Sequence, residues 1–183
     1  MMMSVHAGLH DLATLPNAIT KYNRCGTANI FAVVEPKAGR HLNCATPNRS
    51  AAQFAQVIQR LVAAYPFARK IHLVMDNLNI HCRKSLIDHL GNKQGRYAWS
   101  RLKVHYTPKH GSWLNQAEIE LSLVSRQCLG TRRIPTLDLL ETSVTSWNAK
   151  ANQDQTCIQW SFTRKAARAK FGYQRNTSKR SET

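Results

Sequence analysis

The sequence predicts an α/β domain built on a mixed sheet flanked by helices. Two observations carry this. An initial strand pair is followed by helix, strand, helix, strand and helix in alternation. A short apolar strand also ends on an acidic residue, Asp76, where reactive groups of such sheets collect.

The elements follow in chain order. Residues 1–22 show no clear amphipathic period and form an atypical N-terminal segment. The run Ile30-Phe31-Ala32-Val33-Val34 reads as a strand buried on both faces. Lys37-Ala38-Gly39 supplies a turn, and residues 40–45 return as the second arm of a hairpin. Ser50 is placed to cap a helix whose apolar stripe is Phe54, Val57, Ile58, Leu61 and Tyr65, ended near Pro66. Residues 71–75 form a short strand and residues 83–90 a helix stopped by Gly91. Residues 92–100, polar and broken by Gly95, read as a loop. Leu102, Val104 and Tyr106 alternate with Lys103, His105 and Thr107, a half-buried strand near an edge. A helix is expected over about residues 116–127, with Ala117, Leu121, Val124 and Cys128 on one stripe. Another over about residues 136–151 buries Leu137, Leu140, Val144 and Trp147.

Composition sets the outer limits. The 183 residues suit one domain, and a hydrophobic content of 43% fits a globular chain. No apolar stretch reaches the roughly 18 residues of a membrane span, and the first twenty residues lack the pattern of a signal peptide. A cytoplasmic, nucleoid-associated protein with no membrane partner is expected. The cysteines Cys25, Cys44, Cys82, Cys128 and Cys157 are odd in number and never form C-x-x-C. That argues against zinc and disulfides and for reduced, mostly buried thiols. Lys and Arg total 26 against 10 Asp and Glu, a formal charge of +16. Such a surplus repels itself unless a polyanion neutralises it, and nucleic acid is the obvious partner.

Two carboxylates stand out by context. Asp76 ends a buried strand, and Glu118 lies in the first turn of a helix. Side by side they could offer oxygen ligands to Mg²⁺ or Mn²⁺, and a two-ion site could clamp both oxygens of a phosphodiester displacement. Simpler readings compete with this one. Asp76-Asn77 could form an Asx turn. Asn115 and Glu118 have the spacing of a capping box. His81 could orient a metal-bound water or a phosphate, or be an ordinary packed residue. Trp113 could stack on a base or anchor its loop to the core.

Ordered sequence blocks add a resemblance. Ile71-His72-Leu73-Val74-Met75-Asp76-Asn77, followed by His81, resembles the second-aspartate motif of mariner-like insertion-sequence transposases. The stretch from His105 through Tyr106-Thr107-Pro108-Lys109-His110-Gly111-Ser112-Trp113-Leu114-Asn115-Gln116-Ala117 to Glu118 resembles their third-carboxylate motif. Blocks at residues 24–31, 125–130 and 159–165 are similar to others of the bacterial insertion-sequence six-thirty family, and the likeness runs from about Tyr22 to Tyr173.

The resemblance implies a ribonuclease-H-like fold over residues 23–173. It also implies a DDE catalytic domain acting on duplex DNA, both element ends and target. Asp76 and Glu118 would be the second and third metal ligands, with Asn77, His81 and Asn115 supporting them. In the family reaction water cleaves a strand, and the freed 3′-hydroxyl then attacks the target. Lys109 and His110 are candidate DNA contacts, as are Arg164, Lys165, Arg168 and Lys170 in the basic C-terminal region. Residues 174–183 are expected to form a disordered basic tail.

The chain departs from the family pattern at its start. Only 23 residues precede Arg24, and Asp11 is the one acidic residue among them, hence the one candidate there for a third ligand. Its surroundings do not resemble the family's leading strand, although Val5, Ala7 and Leu9 alternate ahead of it. The first strand is therefore expected to be missing or replaced, the terminal recognition modules absent, and the chain inactive. A catalytically dead DNA-binding or regulatory remnant is the alternative reading. Self-association, or pairing with an intact transposase, fits either.

Overall fold

The computed structural model describes residues 26–108 and 115–159, the backbone of residues 2–5, and positions 166 and 169. Strand β2 (Ala28–Phe31) is buried along its whole length. Its side chains divide by period two, as strand geometry requires. Ala28 and Ile30 enter one apolar cluster and Phe31 the other. The expected hairpin is present, but each arm is broken into two short pieces. β2 pairs antiparallel with β5 (Cys44–Thr46), and β3 (Val34–Glu35) with β4 (Arg40–His41). Between the pairs only a bond from Leu42 N to Val33 O, 2.9 Å, spans the arms. At the tip Gly39 takes φ +59°, and a Cβ there would lie 2.6 Å from the carbonyl carbon of Gln155. Conformation and space both select glycine.

A further strand, β1 (Met2–Val5), pairs antiparallel with β2 on the edge opposite β5, Met2 facing Phe31 and Val5 facing Ala28. It ends on Val5, the first residue of the alternation Val5, Ala7 and Leu9.

Helix α1 (Ala51–Ala64) begins as expected: Ser50 Oγ accepts from Gln53 N at 3.4 Å. Phe54, Val57, Ile58 and Leu61 are its buried stripe. Strand β6 (Ile71–Met75) then pairs in parallel with β7 (Leu102–Tyr106), from Ile71 opposite Leu102 to Met75 opposite Tyr106. Among the described residues β7 has no second neighbour. Its outward Tyr106 is 45% exposed, in keeping with an edge strand.

The crossover between these strands holds α2 (Arg83–Leu90) and, in place of the expected loop, α3 (Asn92–Ser100). By its polar surroundings alone Gly95 is a chain breaker. In the fold it is a contact point: a Cβ there would lie 2.5 Å from the Leu86 carbonyl oxygen. Only Gly95 and Ala98 of α3 are buried. An apolar stripe of one alanine is too thin to register as a helical period.

Helix α4 (Ala117–Leu123) buries Ala117 and Leu121, and the chain then widens into a π-helical segment, Val124–Leu129, that buries Val124 and Cys128. The apolar stripe is the expected one, although the winding changes along it. The segment closes with Gly130 N on Ser125 O at 2.8 Å. Helix α5 (Leu137–Gln153) is capped by Thr136, whose Oγ1 accepts from Leu139 N at 3.2 Å. Leu140, Val144, Trp147 and Ala151 form its buried face.

The two apolar clusters complete the architecture. One joins β2 and β5 to α4, the π-helical segment and α5; the other joins α1, α2, α3, β6 and β7. The result is a mixed α/β arrangement of small sheets and helices. No helix among the described residues is long and apolar enough to cross a membrane. Cys44 and Cys128 are buried, Cys82 is half-buried and Cys157 is exposed, all as free thiols.

Candidate functional site

Asp76 follows the last residue of β6 with its side chain 25% exposed. His81 Nδ1 lies 2.6 Å from Asp76 Oδ1 and 3.2 Å from the Asp76 carbonyl oxygen. Oδ1 is buried, and the approach falls short of well-aligned hydrogen-bond geometry. The imidazole beside it holds the Asp76 carboxyl below its ordinary range, while partial burial acts in the opposite direction. His81 is itself buried, with its ring centroid 4.7 Å from that of Phe54. Its carbonyl accepts from the Tyr106 hydroxyl at 2.7 Å. It is thus a packed residue that also touches the carboxylate, so its two sequence readings merge.

Asn77 is exposed, and its Nδ2 donates 2.7 Å to the Thr107 carbonyl just beyond β7. The side chain ties two strand ends together, which a local Asx turn would not do.

At the start of α4 the capping arrangement is half fulfilled. Asn115 Oδ1 accepts from Ala117 N at 3.2 Å. The returning bond from the Glu118 carboxylate is not made; among the described residues that side chain has no hydrogen-bond or ion-pair partner, and it is partly exposed. Glu118 is therefore free for another role. Asn115 is buried with its Nδ2 unpaired.

Glu120 points elsewhere, as two residues of helical rotation dictate. It is fully buried: its Oε1 meets His41 Nδ1 at 2.8 Å and accepts from Asn43 Nδ2 at 2.6 Å. His41 Nε2 reaches the Thr156 carbonyl at 2.9 Å, and Asn43 Nδ2 also donates to Asn148 Oδ1 at 2.9 Å. The network pins α4 to the hairpin and α5, and so sets the rotation that turns Glu118 away from them. Sequence reasoning passed over His41, Asn43 and Asn148. A signal did exist for Glu120: it sits three residues after Ala117 and four before Val124, on the buried stripe itself.

A cavity of about 950 Å³ joins the two regions. Met75 and His81 line one side, Asn115 and Ala117 another, and Phe31 and Phe54 contribute apolar wall. Asp76 and Glu118 each stand one residue beyond a lining residue. Among the described residues no three His, Cys, Asp or Glu side chains converge as a metal-binding group. Oxygen donors such as these two suit a hard divalent cation in kind. Two of them fall short in number of what a two-ion site draws from its protein. Asp11, Lys109, His110, Trp113, Arg164, Lys165, Arg168 and Lys170 lie outside the described residues, as does the basic tail.

A strand-end carboxylate and a first-turn helix carboxylate, each next in sequence to a residue lining one cavity, in a strongly basic α/β chain, suggest phosphodiester chemistry. The family model of the DDE superfamily endonucleases matches residues 11–141, a span holding both carboxylates, and the chain belongs to that superfamily. Endonucleases of this superfamily act on DNA and generally depend on a divalent metal. Searches of curated proteins and of solved structures return no match.

Proposed function

We propose that the chain is the endonuclease and strand-transfer domain of an insertion-sequence transposase with a ribonuclease-H-like fold, and that in this form it binds duplex DNA without cutting it. The order of hairpin, helix, Asp-ended strand, parallel strand and Glu-bearing helix supports the fold. Superfamily membership and the +16 charge support the DNA partner. The positions of Asp76 at the end of β6 and of Glu118 in the first turn of α4, both within the span the superfamily matches, support the catalytic lineage. Asp76 and Glu118 are the proposed ligands for Mg²⁺ or Mn²⁺, and Asn77, His81 and Asn115 hold their surroundings. The departure of the segment around Asp11 from the family pattern, and a donor set that numbers two among the described residues, support the inactive form.

A nicking assay on element-end DNA with Mg²⁺ or Mn²⁺ tests this. No cleavage is expected, alongside duplex binding that weakens steeply with salt. Robust cleavage that disappears in Asp76→Asn would overturn the inactive reading and keep the transposase one. Binding insensitive to salt would overturn the DNA-binding reading.

A further inference from the structure

A second surface lies at the other end of β6, roughly 16 Å along the strand from Asp76 at the usual rise per residue. Six residues connect α1 to β6, and Phe67 among them is 100% exposed. The loop displaying it is held from below. Arg101 Nη2 donates to the carbonyls of Tyr65 at 2.8 Å, Pro66 at 3.3 Å and Ala68 at 2.6 Å. The other arm, Nη1, donates to the Tyr97 hydroxyl at 2.8 Å, and the guanidinium carbon lies 5.7 Å from the Tyr97 ring centroid. Tyr97 is 57% exposed. One arginine thus organises two solvent-facing aromatic rings, one on a loop and one on α3.

The charge around these rings has one sign. Residues 65–70 and 92–101 carry Arg69, Lys70, Lys93, Arg96 and Arg101 and no acid. Glu35 accepts from the Tyr65 hydroxyl at 2.8 Å, and Asp88 on the neighbouring α2 is paired with Lys84. Aromatic faces among unneutralised cations match a ligand that alternates flat rings with phosphates. Paired bases hide their faces in the helical stack, so the matching ligand is unpaired.

We propose that Phe67, Tyr97 and Arg101 form a stacking platform for unpaired DNA bases, with Arg69, Lys70 and Arg96 taking the phosphates. The inference shares the DNA partner of the proposed function but needs neither carboxylate nor metal.

The test uses the full chain in EDTA with two ligands: a blunt duplex and the same duplex with a single-stranded tail containing 2-aminopurine. The tailed duplex is expected to bind more tightly, with altered 2-aminopurine fluorescence. Phe67→Ala and Tyr97→Ala should each weaken tailed binding about tenfold, within the range for loss of one base–aromatic stack, and leave blunt-duplex binding unchanged. Phe67→Trp should restore it. Equal wild-type affinity for both ligands would overturn the platform while leaving duplex binding intact. So would a Phe67→Ala variant that only loses self-association in sedimentation. Failure to bind either ligand would remove the DNA reading as well.

Discussion

His41 Nδ1 stands 2.8 Å from Glu120 Oε1, and neither side chain has any solvent exposure. A buried carboxylate is tolerable only while its partners remain, and the other oxygen, Oε2, is already unpaired. His41→Ala should therefore destabilise the fold by about 3–5 kcal/mol, the usual cost of stranding one member of a buried pair. Replacing both residues by leucine should cost clearly less, because no stranded charge is left. Urea unfolding of the two variants decides. If the double variant is the less stable, the pair contributes more than mutual compensation.

Gly95→Ala should cost about 1–3 kcal/mol, since the added methyl meets the backbone of α2 and overpacking of this kind carries such penalties. Gln94→Ala, one residue earlier and exposed, should leave thermal stability unchanged. Equal melting temperatures for the two would show that residues 92–100 do not pack as a helix on α2.

Asn77 provides a test of how the end of β6 is held. Its amide donates to Thr107 O, which a carboxylate cannot do. Asn77→Asp should destabilise at least as much as Asn77→Ala, by about 0.5–1.5 kcal/mol. A local Asx turn would instead accept aspartate without loss. Chemical denaturation of both variants separates the two outcomes.

Cys82 precedes α2, and its hydrogen bond with Ser85 lowers its pKa from the ordinary 9.0. Burial raises those of Cys44 and Cys128. Because the thiolate is the nucleophile, iodoacetamide should modify Cys82 well before Cys44 or Cys128, with a rate that rises at a pH below 9.0. Ser85→Ala should move that rise to higher pH. The sign for stability follows from linkage. A depressed folded value adds stability above the unfolded one, and this is lost as pH falls through the folded value. Site-resolved mass spectrometry across pH reads the order of modification. A Cys44 that reacts first would contradict the burial assigned to it.

Much of the fold was legible in the sequence because local patterns are strong there. The stripe from Phe54 to Leu61, the Ser50 cap, the strand ending at Asp76 and the alternation from Leu102 to Tyr106 each depend on neighbours a few residues apart. So did the choice of Asp76 and Glu118, which rested on their positions at element ends and on ordered motif blocks. Other features arose only when distant segments met. Gly95 serves a helix contact because Leu86 lies against it. Glu120 is buried because His41, 79 positions earlier, supplies a partner. His81 was ambiguous until folding set it between Phe54 and Asp76. Phe67 became a displayed ring because Arg101, more than thirty positions away, gathers its loop. Periodicity records which face of an element is apolar; it does not record which polar group from elsewhere will satisfy a buried carboxylate or hold a loop. That pairing is decided by tertiary structure, because hydrogen bonds and close packing depend on distances that the local pattern does not encode.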